Sequence, residues 1–389
     1  MKRIRISCAF MGLMGFLFLF ETASNAVPKV ELAEEEVAAG EGHPTSRWDR
    51  FHLFGYGELH YNNRIGSVDD DIDFHRMVLG FGYDFTEKWN FRTELDFEHA
   101  FTEPELEFAY VDYLHRPGLN LRAGSILVPM GVINQHHEPP LFYSVERPEV
   151  YRVLIPTTWQ EGGAGLYGSL GDFHYELYGL SSLNATGFTG STGLRGGRGH
   201  VGEAPGRDFG GAGRLEYRGL PGFRLGSSLF TANTGQGNAT IDGGFLALME
   251  GDAKYSVEGF DLDGIFVYSH LSDAGLINTV RVATDATFTN FVATEMIGWY
   301  AEAAYHLFYH LWPETKQDLV LFSRFEDFNT QRSMPSGFAA NPANDRNTWT
   351  SGISYLPIPQ VALKADYMAN WNAVNGGTDQ FNLGVGFMY

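Results

Sequence analysis

Residues 88–99 read KWNFRTELDFEH and alternate between apolar and polar side chains. The charged residues of this segment lie at even-numbered positions, and Trp89, Phe91 and Phe97 lie at odd-numbered ones; the charged residues are Lys88, Arg92, Glu94, Asp96 and Glu98. Because successive side chains of a β-strand point to opposite faces, the spacing gives a strand with one oily and one charged face. The same period of two returns at residues 76–85, 361–371 and 380–389. The chain is therefore predicted to be all-β.

The connections between such segments alternate in length. We count about sixteen segments of strand character, each of roughly ten residues. The long connections are predicted at 62–73, 100–104, 128–161, 182–208, 233–244, 272–293, 329–347 and 372–379. The tight turns between them fall at 86–87, 116–118, 171–172, 219–221, 258–259 and 357–359, with one longer turn at 310–317, and several are bracketed by aromatic residues. Alternation of this kind is typical of a membrane barrel with short turns at one end and long loops at the other. A soluble sandwich has no reason to keep it, so we predict a single transmembrane antiparallel β-barrel, closed up-and-down, of about 16 strands over residues 51–389.

The N-terminus has the composition of an export signal. Lys2, Arg3 and Arg5 precede an apolar run of about 13 residues, and small residues at Ser24 and Ala26 suit a signal peptidase. We predict a cleaved signal peptide at residues 1–26, because the run is short for a membrane-spanning helix. Residues 27–50 are acidic and are predicted to be a solvated periplasmic extension.

Composition excludes several function classes. The formal net charge of −20 argues against binding to nucleic acid, which depends on clustered cations. The one cysteine, Cys8, lies in the predicted signal peptide, so no disulfide or cysteine metal site is expected after cleavage. An aromatic fraction of 15% and 47 glycines suit a protein of twisted strands with aromatic girdles.

A stretch around the fourth and fifth strands resembles the phosphate-selective porin O/P family. The matching segments are Ala109–Tyr113, Arg122–Gly124, Val128–Gly131, Glu146–Pro148 and Trp159–Gly163, roughly a fifth of the chain. The resemblance implies a sixteen-stranded homotrimeric channel. It also marks residues 128–161 as the third external loop, which folds inward and narrows the lumen in such porins.

The charged strand faces are interpreted as the lumen wall. The candidate wall residues are Arg76, Arg92, Glu94, Asp96, Glu98, Arg122, Arg214, Glu216, Arg324, Lys364 and Asp366. Carboxylates outnumber cations along these faces, whereas the phosphate-selective members line their pores with Lys and Arg. Since rings of carboxylates favour cations, phosphate selectivity is not carried over, although many of these charges are expected simply to pair across the wall.

The predicted inward loop supplies the candidate constriction. Its charged residues are Glu138, Glu146, Arg147, Glu149 and Arg152, set between five prolines that restrict the backbone. We expect Arg147 and Arg152 to face acidic wall residues across a wide, weakly cation-preferring passage.

Two sequence motifs resemble a cofactor site and a metal site but are interpreted as structural. Gly163–Gly168 fits the dinucleotide pattern G-x-G-x-x-G, but strand-like alternation follows it instead of a helix, so no cofactor is expected. His136-His137-Glu138 has no metal-ligand spacing, and adjacent residues point apart, so no metal is expected.

The sequence thus predicts a non-enzymatic outer-membrane porin, in contact with lipid and lipopolysaccharide, that passes small hydrophilic solutes and ions. The alternatives are an outer-membrane barrel enzyme of phospholipase or protease type, a substrate-specific anion channel, and an adhesin or structural barrel. Conductance in a lipid bilayer separates them, because an enzyme or a plugged barrel gives no stable open steps.

Overall fold

The computed structural model describes residues 47–389 with the exception of residue 242. The predicted signal peptide and residues 27–46 of the predicted extension lie outside the described residues. Residues Arg47–Arg50 form one turn of 3₁₀-helix that leads into the first strand. Within the described part of the chain, no helix has the length and apolar character needed to cross a membrane.

Sixteen β-strands follow one another along the chain. They are β1 Phe51–Arg64, β2 Asp71–Asp84, β3 Trp89–Glu98, β4 Glu103–Arg116, β5 Leu119–Leu127, β6 Gln160–Leu170, β7 Phe173–Ser181, β8 Phe209–Leu220, β9 Phe223–Asn233, β10 Phe245–Val257, β11 Phe260–Leu271, β12 Glu295–His306, β13 Asp318–Ser333, β14 Asp345–Ile358, β15 Val361–Asn372 and β16 Gln380–Met388. Three short helices lie in the connections: α1 Glu149–Val153, α2 Ala274–Thr284 and α3 Leu307–Leu311.

Each strand pairs antiparallel with its neighbours in sequence, and β1 pairs with β16 to close the barrel. At the seam, Tyr56 lies opposite Met388 and Arg64 lies opposite Gln380. The last residue completes the closure, since the amide of Tyr389 donates to Gly55 O at 2.8 Å and the amide of Gly55 donates to Tyr389 O at 3.0 Å. A closed barrel leaves no strand edge unpaired. The predicted all-β barrel of about sixteen strands is confirmed.

The connections alternate in length as the sequence predicts. Most long connections lie at one end of the barrel, which we call the loop end, and most short ones lie at the other, which we call the turn end. The exceptions are the four-residue β3–β4 connection at the loop end and the β12–β13 connection at the turn end. The longest connection, residues 128–159, joins β5 to β6 and is called the inner loop below. The longer turn predicted near 310–317 is the β12–β13 connection, which contains α3.

The outer face of the barrel is apolar and the inner face is largely polar. Outward side chains such as Leu177, Leu215, Phe266 and Ile353 are 44–53% exposed. Inward charged side chains on the neighbouring positions are mostly buried. This is the reverse of a soluble protein, and it follows from the period-two pattern once the sheet is closed.

The barrel interior at the loop end contains an apolar core. Inward residues of β7–β12, including Leu180, Phe230 and Leu248, pack with apolar residues of the inner loop and of the β7–β8 connection at residues 182–208. Trp159 lies against Phe230 with ring centroids 4.7 Å apart, and both side chains are fully buried. Loops therefore fill much of this half of the lumen.

Candidate functional site

The inner loop crosses the barrel interior. Its residues bond to inward-facing side chains of nine strands, which are β1, β4, β6, β7, β10, β11, β12, β13 and β15. The wall residues that take part include Asn62, Glu107, Glu161, Glu176, Glu250, Asp261, His306, Glu326 and Asp366. Contacts on so many sides of the barrel place the loop across the lumen.

Wall charges bind the loop backbone directly. Lys364 Nζ donates to Pro139 O at 2.6 Å and to Ser144 O at 2.9 Å, and it lies 3.9 Å from the centre of the Phe142 ring. On the same strand, Asp366 accepts a hydrogen bond from the amide of Val145 at 2.6 Å. Residues 139–145 are thus clamped onto β15, and the proline pair at 139–140, in a 3₁₀ turn, restricts the path of the segment.

Three arginines of the wall each form ion pairs with two or more carboxylates. Arg76 lies within 3.6 Å of four carboxylates, those of Glu58, Asp96, Glu98 and Glu107. Arg214 contacts Glu216, Glu250 and Asp252 at 2.7–3.0 Å, and Arg324 contacts Glu302 and Glu326 at 2.9–3.0 Å. Around Arg76 and Arg324 the carboxylates outnumber the guanidinium group, whereas in the Arg214 cluster Arg218 and Arg224 also pair with Glu216 and balance the acids.

The remaining predicted wall residues also lie on inward faces. Arg122 forms a two-bonded pair with Asp112 at 2.8 and 2.9 Å and lies 3.8 Å from the Tyr110 ring centre. Arg92 pairs with Asp84 at 3.0 Å. Glu94 is buried between the Arg76 cluster and the inner loop. Many wall charges therefore pair with one another or with the loop.

The five predicted constriction residues lie at different positions along the inner loop. Glu146 accepts from Asn62 Nδ2 at 2.9 Å and lies 3.3 Å from His60. Glu149 and Arg152 pair with each other at 2.6 Å within α1. Arg147 donates to His137 O at 3.3 Å, which is a loop carbonyl.

Of these five, Glu138 has one buried carboxylate oxygen without a hydrogen-bond partner among the described residues. Arg152 is placed against its own helix, whereas the sequence-based expectation had it facing the wall. Whether the five residues set the narrowest section stays a prediction.

The environment of Glu146 favours its charged form. Burial by itself raises the pKa of this carboxyl, but hydrogen bonding and charge attraction from His60, with the bond from Asn62, outweigh that effect and lower the pKa to about 2. The carboxylate is therefore a stable acceptor that ties the inner loop to β1.

A cavity of about 380 Å³ lies at the loop end, between the inner loop and strands β1 and β13–β16. Its charged lining residues are Arg64, Glu146, Glu149, Arg152 and Arg346. Arg64 pairs with Asp71 at 2.7 Å, and Arg346 donates to Ser191 O at 2.8 Å. Twelve of its sixteen lining residues are polar or charged, a composition that suits a water-filled space inside a barrel.

Towards the turn end, the loop packs directly onto β16. A Cβ added at Gly384 would lie 3.1 Å from the Val145 side chain, and one added at Gly386 would overlap Pro139 Cβ. Glycine at these two inward positions lets the loop backbone approach the wall closely. Glu58, His60 and Lys364 surround the same contact.

Sequence reasoning missed two features, the apolar core and the arginines of the β7–β8 connection that bond to carbonyls of the inner loop. Arg195 and Arg198, in the β7–β8 connection, both donate to Thr157 O, and Arg198 also reaches Thr158 O at 3.1 Å. Burial, together with neighbouring arginines, lowers the pKa of Arg195 to about 9. Burial also lowers the pKa of Arg198, to about 10, although nearby acids oppose the shift.

A signal for the apolar core was present. Consecutive apolar residues at 245–249 and 265–268 mark strands that are apolar on both faces. The expectation of a wide passage therefore needs correction, because apolar side chains and the inner loop occupy much of the lumen.

Comparison with solved structures finds the same architecture in outer-membrane channels. Salmonella typhi OmpF, solved in complex with daunomycin, is 12% identical with a TM-score of 0.58, over 87% of this chain and 97% of that one. The outer membrane channel DcaP of Acinetobacter baumannii is 11% identical with a TM-score of 0.55, over 87% and 97%. The anion-selective porin from Comamonas acidovorans is 13% identical with a TM-score of 0.53, over 87% and 99%. At these identities the likeness shows the fold alone.

Comparison of the sequence gives a nearer relative. No family model matches the chain. A protein of Aquifex aeolicus (strain VF5), described as uncharacterized, is 34% identical over 348 residues, which are 86% of this chain and 79% of the relative. With that identity along most of both chains, this protein belongs to the same family as the Aquifex aeolicus protein.

Proposed function

We propose that the protein is a porin of the bacterial outer membrane that passes small hydrophilic solutes and ions through a passage narrowed by the inner loop. The observation that carries the proposal is the course of residues 128–159, which cross the lumen of a sixteen-stranded barrel and leave a polar cavity of about 380 Å³ at the loop end. A barrel of this strand number is wide enough for an aqueous channel, and an inward loop is the natural device to restrict it.

The outer surface supports a membrane location. Exposed apolar side chains cover the outward positions of the strands. At the turn end, aromatic pairs such as Trp89–Tyr113 and Phe260–Tyr305 have ring centroids 4.8 and 4.5 Å apart. Aromatic girdles of this kind lie at membrane–water interfaces. An outer-membrane setting implies contact with lipid and lipopolysaccharide, and the family resemblance described above supports a homotrimer.

A weak cation preference is proposed for the channel. Four carboxylates face the guanidinium group of Arg76 and two face that of Arg324, so these two parts of the wall carry more acid than base. Carboxylate-rich pores favour cations. This arrangement differs from the basic lining of the phosphate-selective members, and it supports a general rather than a phosphate-specific channel.

The test is conductance of the purified protein in a planar lipid bilayer. We expect stable open steps, and we expect larger steps when residues 138–147 are replaced by a two-residue Gly-Ser linker. A control deletion of residues 336–340, which are largely exposed in the β13–β14 connection, should leave the step size unchanged. Retained heat-dependent gel mobility shows that each variant still forms a barrel.

The outcomes separate the alternatives. Absence of steps in both intact and loop-replaced protein would contradict the channel proposal and favour an enzyme or a closed barrel. Equal step sizes in the intact and the loop-replaced protein would show that the inner loop does not form the constriction. Arg147→Ala should increase cation preference in the reversal potential, whereas a strong anion preference in the intact channel would favour a substrate-specific anion channel.

A further inference from the structure

Two carboxylates and an imidazole meet where the inner loop touches the wall. Glu94 of β3, Glu107 of β4 and His137 of the inner loop each place a ligand atom within 4.8 Å of the other two. All three residues are buried, with exposed fractions of 6%, 3% and 2%. His137 Nε2 lies 3.0 Å from Glu107 Oε2, a separation that two ligands of one metal ion can adopt.

The imidazole is oriented as metal-binding imidazoles are. His137 Nδ1 lies 3.2 Å from Asn134 O, and a backbone carbonyl only accepts, so Nδ1 carries the proton. In the neutral ring, Nε2 then presents its lone pair to the carboxylate of Glu107. An imidazole lone pair and a carboxylate repel each other at this distance. They therefore need either a cation between them or a second proton on the imidazole ring. A backbone carbonyl that fixes Nδ1–H is the usual outer partner of a histidine ligand.

The carboxylates of Glu107 and Glu94 differ in their hydrogen-bond partners. Glu107 is already held in place, since it accepts from Tyr56 OH at 2.8 Å and from Arg76 Nη1 at 3.2 Å. Glu94 is not, because its buried Oε2 has no hydrogen-bond partner among the described residues. A buried carboxylate oxygen without a partner is costly, and a bound cation would supply the missing interaction.

Among the described residues, Glu94 has no basic side chain of its own within ion-pair distance. Arg76 is shared among four other carboxylates within 3.6 Å. Glu138, the residue after His137, adds another carboxylate that repels Glu94 and has its own unpartnered buried oxygen. The sector between β1, β4 and the inner loop therefore has an excess of negative charge.

We propose that Glu94, Glu107 and His137 bind a first-row divalent cation, with Zn²⁺ as the best fit, and that this ion joins the inner loop to strands β3 and β4. One imidazole nitrogen and two carboxylate oxygens form a mixed donor set that suits Zn²⁺, whereas Ca²⁺ prefers oxygen ligands alone. The inference is independent of the proposed channel activity, because it concerns binding to the folded protein.

The test measures the zinc bound to the full mature chain. The protein is refolded in detergent without metal and dialysed against Zn²⁺ with excess Ca²⁺. Free ions are then removed before the measurement. Elemental analysis should find one Zn²⁺ per chain that Ca²⁺ does not displace. Glu94→Gln and His137→Gln should each weaken binding by about 100-fold or more, because each removes a ligand of the ion. The zinc X-ray absorption spectrum should show one imidazole ligand in the intact protein and none in His137→Gln.

Two matched controls locate the ion. Glu161→Gln alters a buried carboxylate of β6 outside the cluster, which is bonded to Trp159 Nε1 at 3.0 Å, and it should keep the zinc. His99→Gln removes one of the two histidines of a second group near the loop end, which consists of Asp73, His75 and His99, and it should also keep the tightly bound ion.

Three results would each overturn the proposal: the intact protein contains no zinc, zinc is retained in both ligand variants, or zinc is lost with His99→Gln. In the first case Glu94 and Glu107 would share a proton instead. Since His137 lies in a loop, His137→Gln provides a folded variant even if Glu94→Gln fails to assemble, and gel mobility identifies folded protein in both.

Discussion

Lys364 is expected to hold the inner loop in the lumen, and Lys364→Met tests this directly. The ammonium donates to Pro139 O and Ser144 O at 2.6 and 2.9 Å and lies 3.9 Å from the Phe142 ring centre. Methionine has similar length but cannot donate, so two loop carbonyls lose their partner. The loop should then leave its docked position more often.

The size of the effect follows from these contacts. Two hydrogen bonds from a charged donor contribute about 3–6 kcal/mol together, and the contact with the ring adds about 1–2 kcal/mol. Burial of the ammonium costs several kcal/mol in the opposite direction, since Lys364 is only 5% exposed. We take the net as about 2–3 kcal/mol, which is about a 30- to 160-fold rise in the undocked population.

Single-channel recording measures this population as the ratio of time spent at a higher-conductance level to time at the main level. The matched control is Arg122→Met, which removes a lumen cation whose pair with Asp112, at 2.8 and 2.9 Å, makes no hydrogen bond to the described residues of the inner loop. The ratio should rise in the first variant only. Equal traces for the two variants would refute the view that Lys364 anchors the constriction.

Three further changes probe the same arrangement. Gly386→Val should push Pro139 off β16 at a cost of about 1–3 kcal/mol and raise conductance, whereas Gly251→Val, whose added Cβ meets nothing nearer than 4.0 Å, should not. Tyr389→Asp should block assembly, seen as loss of heat-dependent gel mobility, because this half-exposed terminal ring sits on the outer face where the barrel closes. Glu146 has its pKa lowered from 4.5 to about 2, so its contribution to loop docking should be complete above about pH 4.5 and lost as the pH falls through 2. Channel noise should therefore increase over that range, and in Glu146→Gln it should be raised already at neutral pH and change less.

Strand positions could be predicted from the sequence because they depend on local pattern. The alternation at residues 88–99 predicts a strand that the structure places at Trp89–Glu98. The connection predicted at residues 128–161 occupies residues 128–159. Period two fixes which side chains share a face, and turn residues fix where a strand ends, so both are determined by a few neighbouring residues.

Partners could not be predicted, because they depend on contacts between distant segments. The alternation places Asp366 on the inward face, but its hydrogen-bond donor is the amide of Val145, 221 positions away. Likewise, nothing near Arg324 in sequence indicates that it donates to Ser144 Oγ at 2.8 Å. The loop sequence shows charge and prolines, but the path of the loop depends on wall residues from nine strands.

A loop that enters a lumen brings backbone polar groups into a space where little water is left to satisfy them. Each buried amide or carbonyl then needs a partner, and the wall supplies charged ones. The amides of Gly131, Val145 and Val150 donate to Glu250, Asp366 and Glu326. A carboxylate that holds a loop amide in this way has less capacity to attract a passing ion than a free one. A count of wall charges therefore overstates selectivity.

The side of the lumen near β1–β4 differs from the rest. There, Arg76 faces four carboxylates, and Glu94 adds a buried oxygen with no partner among the described residues. Loop amides do not account for this excess, and the loop adds His137 and Arg147 together with two acids, Glu138 and Glu146, to the same region. Cation attraction should therefore concentrate on this side of the constriction. Any solute that passes between the inner loop and β1 meets a field set by these acids, and a divalent ion held there would weaken that field while fixing the loop that shapes the passage.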